Sequence, residues 1–72
     1  MEKAEYFKSL RKSLSVLKCF DSQQLELSGA EIARRLGVHR TSAYRILAVL
    51  TEERLLERNE QTGRYSIGPG LF

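Results

Sequence analysis

The sequence predicts a mainly α fold in which three helices are followed by a small β-hairpin. Three observations predict it. Apolar residues recur at steps of three and four up to about residue 53, a Gly-containing turn divides the second helical stretch from the third, and two short strand-like runs then flank a loop ending in Gly63. With 72 residues the chain is about half the usual domain length, so it forms one small domain.

The first helix is expected over about Ala4 to Phe20. Phe7, Leu10, Leu14 and Leu17 form one amphipathic stripe, read as the inward face, with Lys8, Arg11, Lys12, Ser15 and Lys18 on or toward the other side. Val16 falls off the stripe by roughly 100° of rotation or more; it is read as incidental or as a dimer contact. Asp21-Ser-Gln-Gln breaks the pattern as a polar loop.

Ser28-Gly-Ala-Glu31 has the form of a capping box, in which Ser28 Oγ accepts from Glu31 N–H and the Glu31 carboxylate from Ser28 N–H. Ala30, Ile32, Ala33 and Leu36 follow, and Gly37 stands where a left-handed residue ends the helix. A helix of about eight residues is unstable alone and must be held by its neighbours. The third helix is expected from about Arg40 to Glu53, with His39 at its N-cap. Ala43, Ile46, Leu47 and Leu50 define its buried face. Thr41, Arg45, Ala48 and Glu52 lie near the opposite side, flanked by Ser42 and Tyr44. Leu55–Arg58 and Arg64–Ile67 read as strands joined through Asn59-Glu-Gln-Thr-Gly63.

Composition narrows the function. Hydrophobic residues make up 42% and charged residues 29%, a globular balance. No apolar run approaches the ~18 residues of a membrane span, and the polar start has no signal-peptide core. A single cysteine, Cys19, forms no internal disulfide and reads as a packing residue. One His, one Cys and one Asp do not furnish a metal site or a catalytic triad. A cytoplasmic, non-enzymatic module without cofactor or membrane partner is expected.

The net charge of +3 is modest, but its distribution is uneven. From Ile32 to Thr51 the chain carries Arg34, Arg35, Arg40, Arg45 and His39 and no acid; Glu52, Glu53, Glu57 and Glu60 all follow. Such a run creates a positive field that attracts a polyanion, although a solvated helix face has the same composition. Ala33 at the helix crossing, Gly37 at the turn, and Ile32, Leu36, Val38, Ala43 and Ile46 filling the angle together specify a helix-turn-helix. With the hairpin appended, the architecture is a three-helix winged helix-turn-helix.

Four segments also resemble a known family: residues 9–20 (SLRKSLSVLKCF), 27–38 (LSGAEIARRLGV), 43–47 (AYRIL) and 62–72 (TGRYSIGPGLF). They are similar to the amino-terminal DNA-binding domain of IclR-type transcriptional regulators, and the resemblance runs over about residues 8 to 72. It implies a homodimer that binds palindromic double-stranded DNA operators, and a small-molecule effector acting through a carboxy-terminal domain that this sequence does not contain. On this reading residues 1–7 are an extension and the start of helix one. Residues 8–68 are the DNA-binding domain, with its helix-turn-helix at about 28–53 and its wing at about 55–67. Residues 69–72 begin a linker in a piece of a longer regulator. The family usually has Gly where this chain has Arg54; if that residue is left-handed, the non-Gly side chain costs ~1 kcal/mol.

Helix-turn-helix docking places the third helix in the major groove, which nominates Arg40, Thr41, Ser42, Tyr44 and Arg45. Arg45 suits the O6 and N7 of guanine or a phosphate, whereas Tyr44 on the flank suits a phosphate. Ser28 and its neighbours present backbone N–H groups at a helix N-terminus. Arg64 beside the hairpin turn is placed to reach a phosphate or the minor groove, and His39 to donate to a phosphate. Arg34 and Arg35 steer DNA electrostatically or simply solvate the second helix. The alternative is a winged-helix module that binds protein rather than DNA; it would need an apolar outward face on the third helix.

Overall fold

The computed structural model describes the backbone of residues 3–71 and side-chain environments over residues 7–70. Residues 1–2 of the expected extension at residues 1–7, and residue 72 at the end of the expected linker, lie outside the described residues. The element order is α1 (Lys3–Lys18), α2 (Gly29–Leu36), α3 (Arg40–Glu52), β1 (Leu56–Arg58), β2 (Tyr65–Ile67) and a 3-10 turn (Pro69–Leu71).

Helix α2 starts at the capping box read from the sequence. Glu31 N–H donates to Ser28 Oγ (3.1 Å) and Ser28 N–H to the Glu31 carboxylate (3.0 Å). At its other end Gly37 has φ +67°, Gly37 N–H donates to Arg34 C=O (3.2 Å) and Val38 N–H to Ala33 C=O (3.1 Å). This pair of reversed bonds is a Schellman ending, which needs a residue that tolerates positive φ at Gly37. The turn therefore leaves α2 at a fixed angle, and α3 begins three residues later, at Arg40.

The core is Val16, Leu27, Ile32, Leu47, Leu50, Leu56 and Tyr65, with Leu17, Cys19, Phe20, Leu36, Ile46, Leu55 and Ile67 packed around it. Ala33 and Ala43 are also buried, so small side chains stand on both α2 and α3. The buried face of α3 is the expected one.

The stripe of α1 is the expected inner face only at Leu17. Phe7, Leu10 and Leu14, read as inward, are 56%, 55% and 50% exposed, whereas Val16 is fully buried. The reason is geometric. The buried contacts of α1 come from its carboxy-terminal end and the residues just after it, where Val16, Leu17, Cys19 and Phe20 meet the core. The amino-terminal turns extend beyond the core, so Phe7, Leu10 and Leu14 are left largely uncovered among the described residues.

The two strands pair antiparallel in the register Leu56 with Ile67, Glu57 with Ser66 and Arg58 with Tyr65. An unforeseen third partner extends this hairpin. Leu27 exchanges two backbone hydrogen bonds with Tyr65, of 2.9 and 2.7 Å, which ties the hairpin to the residue before the α2 cap. Arg54, between α3 and β1, has φ +63° and is the only non-glycine residue with positive φ among the described residues. Its carbonyl accepts from Gly70 N–H at 2.7 Å, and Cβ atoms on Gly68 or Gly70 would approach that oxygen to 2.5 or 2.6 Å. The Gly68-Pro69-Gly70 run thus closes onto the left-handed Arg54 because it lacks side chains at those two places.

Candidate nucleic-acid interface

The thirteen residues of α3 make a rod about 20 Å long, which fits a major groove about 12 Å wide. Ala43, Leu47 and Leu50 anchor its inner side, and Arg40, Thr41, Ser42, Tyr44 and Arg45 are all exposed. No acid occurs in the first turn of α3. Along the outward stripe, Thr41, Arg45 and Ala48 are polar or small, not the apolar face that a protein-binding module would present. Val49, exposed toward the end of α3, is the large apolar exception.

His39 is the N-cap of α3, as expected, and it caps through its ring. Thr41 N–H donates to His39 Nδ1 at 3.2 Å. An accepting Nδ1 assigns the proton of the neutral ring to Nε2, which leaves an N–H donor on the exposed side chain. Capping and anion donation therefore use different ring nitrogens.

Ser28 has a narrower capacity than its sequence position implies. Its hydroxyl and its N–H are both engaged with Glu31, so the N–H groups free for an anion are those of Gly29 and Ala30. The Glu31 carboxyl is held below the usual carboxylate range, first by the N–H of Ser28, then by the Ser28 hydroxyl and more weakly by Arg64 and Arg34.

Arg64 is drawn inward. Its guanidinium donates to Glu26 C=O and pairs with the Glu31 carboxylate, each at 3.3 Å, while the side chain stays 43% exposed. Arg35 donates to Gln24 Oε1, which ties it to the loop before α2; Arg34 stays exposed. Cys19 Sγ donates to Ser15 C=O, and burial raises its thiol pKa against the opposing pull of Arg35. That environment fits the packing role expected of Cys19.

Tyr44 makes a contact that periodicity does not reveal. Its ring stands against Gly29, the first residue of α2: a Cβ there would fall 2.5 Å from Tyr44 Cε1 and 2.7 Å from its hydroxyl oxygen. The missing side chain at Gly29 was the available signal, but residues fifteen apart give no local pattern that pairs them.

Helix, tight turn, exposed second helix and hairpin define a winged helix-turn-helix domain. The IclR helix-turn-helix domain family matches residues 9–60, and the chain belongs to that family. It is 29% identical over 69 residues to the glycerol operon regulatory protein of Streptomyces coelicolor, covering 96% of this chain and 27% of that protein. Among solved structures, an IclR transcriptional regulator from Alicyclobacillus acidocaldarius is 35% identical with a TM-score of 0.85, covering 90% of this chain and 26% of that one. An IclR family regulator from Brucella abortus is 26% identical with a TM-score of 0.86, covering 89% and 25%. The chain thus spans about a quarter of the length of these relatives. As an IclR-type helix-turn-helix domain of transcriptional regulators, it is a DNA-binding domain by family. Among the described residues no helix is long and apolar enough to cross a membrane.

Proposed function

We propose that the domain binds double-stranded DNA sequence-specifically, with α3 in the major groove and the hairpin on the backbone or in the minor groove. The observation that carries this reading is the exposed, acid-free amino-terminal half of α3 on a helix whose inner side is fully anchored. Arg45 reads a base edge or grips a phosphate, Thr41 and Ser42 bond either, and Arg40 adds phosphate contact at the groove edge. Tyr44 and His39 Nε2 donate to phosphates, and the first turn of α2 at Ser28 adds backbone N–H groups. Arg64 engages Glu26 C=O and Glu31 through one terminal nitrogen and stays 43% exposed, so it acts as a wing contact through the rest of its guanidinium or after exchange of that ion pair.

The domain works as a homodimer on a palindromic operator in this reading. The uncovered Phe7, Leu10 and Leu14 of α1 support it, since a second copy would remove them from water. A small-molecule effector acts through a carboxy-terminal domain outside this sequence, in the cytoplasm, and the domain itself performs no catalysis.

Selection from a random duplex pool should return paired half-sites about 34–36 Å apart, centre to centre. On the selected duplex, Arg45→Ala should lower affinity by ~1–3 kcal/mol while changing binding to random DNA far less. Affinity should also fall steeply with salt, at a slope of about −0.9 per phosphate neutralised. Equal losses on both DNAs would move Arg45 to the phosphate contacts, and salt-independent association would overturn DNA binding.

A further inference from the structure

We infer that Gly29 is a positioning residue for recognition of the DNA backbone: by lacking a Cβ it seats the Tyr44 ring against α2 and fixes where the phenol hydroxyl points. The inference rests on the DNA-binding reading above, and it gives Gly29 a role exerted through Tyr44, separate from the backbone N–H that Gly29 offers at the start of α2.

Tyr44 lies on the flank of α3, and the residue is 45% exposed. An exposed tyrosine on a helix flank ordinarily samples more than one staggered χ1 well, and its hydroxyl, at the far end of the ring, moves by several ångströms between them. Here the ring takes the rotamer that lies over Gly29. A Cβ on Gly29 would stand 2.5, 2.6 and 2.7 Å from Cε1, Cζ and the hydroxyl oxygen of Tyr44, closer than real Cβ contacts come. The ring occupies the volume that any other residue at position 29 would fill with its side chain. Gly29 is itself buried, although it opens a helix, and the Tyr44 ring lies against it.

The seat leaves the donor available. Among the described residues the Tyr44 hydroxyl oxygen lies over Gly29 together with Cε1 and Cζ but makes no hydrogen bond, so its O–H remains for a ligand. Ordering the side chain before binding removes an entropy cost that would otherwise fall on the complex. The contact also spans the two helices of the motif, so a phosphate held by Tyr44 is referred to the frame of α2 as well as α3.

The seat gives way easily, because the conflicting atoms are the far end of a surface side chain rather than backbone. Gly29→Ala is therefore expected to fold, with the ring swung away and the melting temperature unchanged or raised by the better helix former. Binding of the 72-residue chain to a mixed-sequence duplex at low salt is the probe, since a backbone contact is read on any sequence. Gly29→Ala should weaken binding about three- to tenfold, the size of one hydrogen bond.

Tyr44→Phe should weaken binding equally while keeping the ring seated, so the Gly29 Hα resonances stay shifted by the ring current. Gly29→Ala added to Tyr44→Phe should cost nothing further. The inference is overturned if Gly29→Ala binds like the parent chain, if its loss persists undiminished in the Tyr44→Phe background, or if the Gly29 Hα shift survives Tyr44→Leu. If the parent chain itself fails to bind duplex DNA, the function reading falls first, while the Hα shift still reports whether the seat exists.

Discussion

Helix α1 and the body from Leu27 onward are both patterned apolar against polar, yet only one pattern pointed the right way. In the body, the stripe Ala43, Leu47 and Leu50 is buried as its spacing implies. In α1, the equally regular Phe7, Leu10 and Leu14 face outward, and the off-stripe Val16 is fully buried. Periodicity identifies an apolar face but says nothing about what covers it. In the body the covering elements are α2 and the hairpin, all within a few dozen residues; for Phe7, Leu10 and Leu14 the described residues provide none.

The sharpest way to break that comparison inverts the usual size rule. Val16→Ala should lower the unfolding free energy by about 2 kcal/mol, since it removes two buried methyl groups and leaves a cavity. Leu14→Ala, though a larger truncation, should change stability of the dilute domain by no more than about 0.5 kcal/mol. Urea melts at low and high protein concentration separate the two. Leu14→Ala should also abolish any self-association seen by sedimentation, and an equal cost for both substitutions would return the Leu14 stripe to the core.

A smaller effect tests the body, whose one departure from low-energy backbone is Arg54 at φ +63°. Arg54→Gly should stabilise the domain by up to ~1 kcal/mol, less than the full strain because glycine also loosens the unfolded chain. A loss of stability would mean that the arginine side chain contributes more than its backbone strain costs.

The smallest effect separates the regions by pH. Glu31 is held below its ordinary value of 4.5 by the Ser28 N–H first. A carboxyl with a lowered folded pKa stabilises the fold above its unfolded value and loses that contribution as the pH falls through the lowered one. Below about pH 4.5 the parent chain should therefore lose stability faster than Glu31→Gln, which can still cap but does not titrate. Thermal melts from pH 3 to 7, roughly spanning the carboxylate range, are the measurement; parallel curves would remove Glu31 from the account.

What was legible in the sequence follows from the range over which the physics acts. Ser28 with Glu31, Gly37, and His39 before α3 are local devices, and each was readable from a few neighbouring residues. The inward fold of Arg64 onto Glu31, the Leu27–Tyr65 pairing and the Tyr44 ring on Gly29 join residues 33, 38 and 15 positions apart. No local spacing rule connects such pairs. They depend on where three helices and a hairpin happen to meet, and two of the three bear directly on the candidate interface.

The two hydrogen bonds between Leu27 and Tyr65 carry a mechanical consequence. A ribbon of two three-residue strands, left to itself, would pivot about its base. Stitched at Tyr65 to the residue that precedes the α2 cap, it cannot swing without unzipping that seam. The spread between α3 and the hairpin tip is accordingly built in as the chain folds, and in the proposed complex a duplex would meet one stiff caliper rather than a rod and a loose flap.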